Sequence, residues 1–182
     1  NDIDQRTRAA GREEETFLGA YFAGGGMPVT YSDLEKAGQV LLVGFEPEDE
    51  CGAVFLRLRK GVRSGNVKVA TVAPFASPSS VKTAATVLFA APGTEPEVVA
   101  NVKAEAEGDF GTVFAGLKGE GAVIVVGERA GTVPGLLSAV NDLAARSGAR
   151  LAWIPRRSGE RGGVEAGALP GLLPVSYTHL RA

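Results

Sequence analysis

Four short, continuous apolar runs, each stopped by glycine or proline, constrain this chain more than any other feature of its sequence. Val40-Leu41-Leu42-Val43 stops at Gly44, and Val67 to Val72 stops before Pro74. Ala122 to Val126 stops at Gly127, and Arg150 to Ile154 stops at Pro155. The runs are too short for helices. They are rich in β-branched residues and lack the polar alternation of a sheet with one wet face. Runs of this kind suit strands buried on both faces, as in a parallel sheet.

Between the runs lie helical patterns. Phe55, Leu56, Leu58 and Val62 give a loose apolar face beside Arg57, Arg59 and Lys60. Leu136, Leu137, Val140, Leu143 and Ala144 recur at amphipathic spacing, with Pro134 compatible with a first turn and Gly148 a stop. Ser32-Asp33-Leu34-Glu35 and Thr94-Glu95-Pro96-Glu97 are candidate capping boxes; the second opens a helix through Val98, Val99, Val102 and Ala106. Residues 77–85 read as a loop with at most a helical turn, and 86–90 as a short strand. The glycine-rich stretch 107–121 reads as an irregular connection with one helical piece at 113–117. Strand, helix, strand, repeated twice, predicts right-handed crossovers. The expected fold is α/β: a Rossmann-like three-layer domain with a mainly parallel sheet over residues 1–154.

Past Pro155 the chain becomes rich in arginine, glycine and proline and loses apolar periodicity, so 155–174 is expected to be an extended docking tail. Val175 to Ala182 resembles one reading-frame translation of a transposase adapter used in sequencing libraries and is read as non-native. The sole histidine, His179, falls inside it. The chain opens on Asn1 rather than methionine, so its start is expected to be a cut.

Chemistry is sparse. One cysteine and one histidine cannot build a Cys–His or Ser–His–Asp arrangement, a zinc site or an iron–sulfur cluster. The expected sets of catalytic and metal-binding residues are both empty. Cys51 reads as a small residue at a helix start. Glu46, Glu48, Asp49 and Glu50 read as acids favoured at a helix N-terminus rather than as a carboxylate pair. Gly24-Gly25-Gly26 precedes Met27-Pro28 and reads as a flexible turn. Gly44 and Gly127 sit where α/β sheets place a ligand crevice, but neither begins a complete dinucleotide or Walker motif. Arg156, Arg157 and Arg161 read equally as a solvated loop or as a grip on phosphate or a partner's carboxylates. A net charge of −2 gives no footprint for nucleic acid, and no apolar run approaches bilayer length.

Several segments together resemble the molybdopterin oxidoreductase superfamily, in the branch formed by the large iron–sulfur subunits (the G subunits) of bacterial NADH-quinone oxidoreductase, respiratory complex I. They are Asn1-Asp2-Ile3-Asp4 with Arg6, Val43-Gly44-Phe45-Glu46-Pro47, and Pro92-Gly93-Thr94-Glu95. The most specific is Trp153-Ile154-Pro155-Arg156-Arg157 with Gly159 to Gly162 and Glu165-Ala166-Gly167. The resemblance spans residues 1–174. It implies a non-catalytic scaffold with no cofactor of its own, in a parent subunit whose iron–sulfur clusters lie in other modules. Its implied partners are other subunits of the peripheral arm, at the cytoplasmic face of the inner membrane, without nucleic acid or membrane insertion. The alternative is a fragment of an active enzyme such as formate dehydrogenase, in which Gly44, Glu46, Pro92, Gly93 and Thr94 would line a site for molybdopterin guanine dinucleotide. Against it, the superfamily's Asp-Pro-Arg segment is here Ala73-Pro74-Phe75, which lacks both charged groups. A third reading is a free-standing nucleotide-binding or regulatory domain.

Overall fold

The β-branched runs form the middle of the molecule. The computed structural model describes residues 9–155 and 157–169. In chain order these form α1 (Arg12–Tyr21), α2 (Tyr31–Leu34), β1 (Gly38–Val43), α3 (Pro47–Glu50), α4 (Gly52–Arg63) and β2 (Val67–Ala73). Then come α5 (Pro78–Lys82), β3 (Thr86–Phe89), α6 (Glu95–Ala100), α7 (Gly108–Leu117) and β4 (Val123–Gly127). A 3-10 turn (Glu128–Thr132), α8 (Leu136–Ser147), β5 (Arg150–Ile154) and α9 (Glu160–Glu165) complete the series. The strands lie in the order β3-β2-β1-β4-β5, and every pair is parallel. Asn1 to Arg6, Arg156 and 170–182, with His179, lie outside the described residues.

Strand alternation divides the core between the two faces. Val40, Leu42, Val69, Val123, Val125 and Ala152 pack with residues of α2 and α4. Leu41, Val43, Val72, Ile124, Val126 and Trp153 pack with residues of α1, α6, α7, α8 and α9. Helices thus cover both sides, which is why the strands read as continuous apolar runs. Each such side chain, once buried, contributes about 1.5–3 kcal/mol. The result is a Rossmann-like three-layer α/β fold, as the sequence predicts.

Several local expectations change. The first capping box is built by Thr30 and not Ser32. Thr30 is extended, accepts the Asp33 amide at 3.2 Å and donates its own N–H to the Asp33 carboxylate at 2.7 Å. No side-chain cap forms at Thr94, whose ψ of 5° turns the hydroxyl back to donate to Ala91 O at 2.9 Å. That helix stops at Ala100, short of Val102 and Ala106. Most of 107–121 is helical, because α7 buries Val113, Phe114 and Leu117 against the sheet despite its glycines. Within the stretch expected to be extended, Glu160–Glu165 is a short helix that buries Val164. Pro134 precedes the helix; Gly135, in a left-handed conformation, is the N-cap of α8.

Gly135 has no side chain to cap α8, and Glu13 of α1 supplies the acceptor. Its carboxylate receives the Gly135 amide at 2.8 Å and both the amide and the hydroxyl of Ser138 at 2.7 Å. Partial burial alone would raise the Glu13 pKa. The Ser138 hydroxyl and the amides of Gly135, Ser138 and Leu137 outweigh it and hold the group below its ordinary 4.5. A carboxylate whose folded pKa is depressed stabilises the fold fully above its unfolded pKa. That contribution disappears as pH falls through the folded value. Replacing Glu13 with Gln should cost about 0.5–1 kcal/mol at neutral pH, allowing for solvent screening of this half-buried group. The deficit should vanish below the depressed pKa. Urea unfolding of both forms from pH 7 down to pH 3 measures it, and a deficit unchanged with pH would contradict the assignment.

Candidate functional site

In a doubly wound sheet the ligand crevice opens at the carboxyl ends of the two strands where the winding reverses. Here those strands are β1 and β4. Three small residues meet at this point. Gly44 follows β1 with φ of +59°, a conformation that favours glycine, and a Cβ there would lie 2.5 Å from Ala130 N. A Cβ on Gly127 would lie 2.3 Å from Gly44 O and 2.9 Å from Phe45 Cβ. Ala130, in the 3-10 turn after β4, is completely buried. The two loops therefore touch backbone to backbone. Gly44, a cofactor-binding position only under the alternative reading, and Gly127 here admit the chain's own main chain.

An ion pair spans the same junction. Arg129 Nη2 lies 2.7 Å from Glu50 Oε1, and that oxygen also accepts the Glu46 amide at 2.8 Å. Glu50 thus ties the start of α3 to the turn after β4. The acids Glu48, Asp49 and Glu50 occupy the first turn of α3, as helix electrostatics favours. Glu48 pairs with Lys82.

The five positions proposed for a guanine dinucleotide lie at this carboxyl edge in two groups. Gly44 and Glu46 follow β1, and Pro92, Gly93 and Thr94 follow β3, with β2 between them. Glu46 is half-buried, and its Oε1 has no hydrogen-bond partner among the described residues. At the other group the polar atoms are already engaged. Gly93 N–H donates to Glu95 Oε2 at 2.7 Å, and the Thr94 hydroxyl is held by Ala91. Ala73 and Phe75 offer no charge between the groups. Among the described residues the donor set is a poor match for a dinucleotide: Gly44 packs against Ala130, and the guanidinium at the junction, that of Arg129, is paired with Glu50.

Sequence reasoning missed a second concavity. A groove of about 620 Å³ lies over β4 and β5 on the α4 side, with Val54, Val125 and Ala152 in its wall. Cys51, half-buried at the N-cap of α4, lines it, as do Arg157 and Arg161. Arg161 Nε pairs with Glu165 at 2.6 Å, and Glu165 also accepts the Met27 amide at 3.1 Å. The Arg161 hydrogen bond is the main reason the Glu165 carboxyl sits below its ordinary value. Glu165 is therefore the latch between α9 and the turn before α2, and Arg161, one turn earlier on α9, holds its carboxylate in place. No signal in the sequence pairs these residues, because 138 positions separate Met27 from Glu165. Among the described residues no cluster of histidine, cysteine or carboxylates could hold a metal.

Fold and site together define a parallel α/β domain of the Rossmann-like class whose two switch-point loops are in backbone contact. No protein-family model matches the chain. It is 54% identical over 174 residues to the G subunit of NADH-quinone oxidoreductase from Mycobacterium bovis and from Mycobacterium tuberculosis. It is 50% identical over 191 residues to the G subunit from Streptomyces coelicolor. Each match covers 96% of this chain but only 21–22% of the relative's length. The chain is homologous to a segment of the NADH-quinone oxidoreductase G subunit.

If the glycines serve this closure, Gly44→Ala and Gly127→Ala should each destabilise the fold by roughly 2–4 kcal/mol. Gly52→Ala, where a Cβ meets nothing within 4 Å, should be neutral or slightly stabilising. Urea midpoints at unchanged slope give the comparison. Equal midpoints for all three would mean that the loops are not in contact.

Proposed function

We propose that the chain is a non-catalytic structural part of the large iron–sulfur subunit of NADH-quinone oxidoreductase, supporting electron transfer from NADH to quinone. The observation that carries this reading is the backbone contact among Gly44, Gly127 and Ala130, which fills space at the switch point with the chain itself. Homology to the G subunit supports the assignment to the complex. Iron–sulfur clusters then belong to other modules of the parent subunit, and this domain holds them in position without a cofactor of its own. Its partners are other subunits of the peripheral arm, at the cytoplasmic face of the inner membrane. Among the described residues no helix is long and apolar enough to cross a membrane. The stretch 155–174 is proposed as a docking surface, with α9 as its folded part. Residues 175–182 are proposed as non-native.

One observation favours the second reading, a guanine-dinucleotide domain of a molybdopterin oxidoreductase. The orphaned Glu46 Oε1 is an acceptor of the kind a guanine or ribose donor would satisfy.

Two measurements separate the readings. Titrating GDP into the 182-residue chain by calorimetry should give no binding up to about 1 mM, an affinity weaker than roughly −4 kcal/mol. Sequencing the intact gene should reveal closely spaced cysteine groups upstream, with genes for other respiratory subunits beside it. Saturable GDP binding abolished by Glu46→Gln would favour the cofactor domain instead. So would a single four-cysteine cluster ahead of a molybdenum-ligating cysteine or selenocysteine.

A further inference from the structure

β3 is one edge of the sheet. Ala90 donates its N–H to Ala73 O at 3.1 Å, and Ala73 stands opposite Phe89. In a parallel ladder the N–H and C=O of one residue point the same way, and successive residues alternate. Thr86, Leu88 and Ala90 therefore face β2, while Val87 and Phe89 turn their backbone groups outward. No described residue pairs with them.

The opposite edge is protected. Trp153 of β5 directs its N–H to Met27 Sδ at 3.4 Å, and Arg150 Nη1 holds Pro28 O at 3.3 Å, so the segment before α2 runs along that edge. Among the described residues β3 has no such cover. Its sequence, Thr-Val-Leu-Phe, contains no lysine or proline of the kind that guards exposed edges. The three most exposed large apolar side chains of the described residues are Val81 at 72%, Phe89 of β3 at 66% and Phe75 at 63%. Phe75 lies two residues beyond Ala73, the partner of Phe89, and Val81 is in α5, just ahead of β3.

We propose that the β3 edge docks an extended apolar segment of its own parent polypeptide, lying outside these 182 residues, which adds a strand beside β3 and covers Phe75 and Phe89. The inference rests on the homology to the G subunit, since the matched stretch is only 21% of the relatives' length and most of their chain lies elsewhere. The size of the patch selects this occupant. The three side chains expose on the order of 350 Å², under half of the roughly 800 Å² per partner in a standard interface. A second copy would have to bury substantial polar surface beside these three side chains to reach that size. A tethered segment needs far less, because its effective concentration reaches the millimolar range. Main-chain pairing with Val87 and Phe89 would supply affinity, and the aromatic flank would select an apolar strand.

Amide hydrogen exchange tests the proposal. In the 182-residue chain, Val87 and Phe89 should exchange as an open edge does. In the polypeptide encoded by the intact gene, purified without other subunits, both should exchange about tenfold or more slowly. Val87→Pro removes an outward donor and leaves the β2 ladder intact, so it should return Phe89 to fast exchange in the longer polypeptide. If Val87→Pro lowers the thermal midpoint of the 182-residue chain, Phe89→Glu serves instead, because it keeps both donors and opposes only the apolar contact. Equal exchange in the two polypeptides would overturn the proposal. Protection that requires an added subunit, or that tracks dimer formation, would overturn it in favour of a separate partner or a second copy. An intact gene encoding nothing longer than this chain would instead overturn the parent-subunit reading.

Discussion

The close approach of the loops after β1 and β4 sets the rest of the structure. With no Cβ on Gly44 or Gly127, the two central strands end against each other and the following turn drops Ala130 into full burial. That places Gly131 under the Glu14 carboxylate, where a Cβ would come within 2.6 Å of Cδ. Glu14, almost fully buried, also receives the Ala10 amide at 2.5 Å. Its neighbour Glu13 closes the start of α8. A contact between two glycines is thus carried through the turn and α1 to the helix that precedes β5. Side chains larger than hydrogen at the first step would separate the loops and loosen each later one.

The same contact bears on the proposed structural role of a fold associated with nucleotide binding. Open crevices keep backbone donors exposed for a ligand. Here the Glu46 amide is satisfied by Glu50, and Arg129 neutralises the same carboxylate. Most of the polarity that could recognise phosphate is used to fasten one loop to another. The remaining asymmetry is Glu46 Oε1, the one buried side-chain polar atom without a partner among the described residues.

What could be read from the sequence follows from the range of the forces involved. The strands were legible because burial on both faces leaves continuous runs such as Val123 to Val126. Helices α4 and α8 were legible because one face of each must be apolar. The parallel order was legible only as a class; strand neighbours depend on pairings such as Val40 with Val123, 83 positions apart, and no local pattern encodes them. The Thr30–Asp33 box was misplaced by two residues because Ser32 carries the same hydroxyl chemistry. α7 was underestimated because glycine lowers helix propensity, whereas packing of Val113, Phe114 and Leu117 overrides it. At the candidate site the positions of Gly44, Glu46 and Gly127 at strand ends were legible. Their occupation by Ala130 was not, since a glycine that admits a ligand and one that admits a neighbouring loop look alike in sequence.

The central position of β1 has a consequence for how the chain is made. Its partner β2 is synthesised soon after it, but β4 emerges from the ribosome only after α5, β3, α6 and α7. During that interval the inner edge of β1, whose Val40 and Leu42 end up buried, has no strand beside it. Closing a parallel pairing across that separation is intrinsically slow. The half-built sheet is therefore the species most exposed to mispairing with other nascent chains. Holding this intermediate soluble is a task for chaperones.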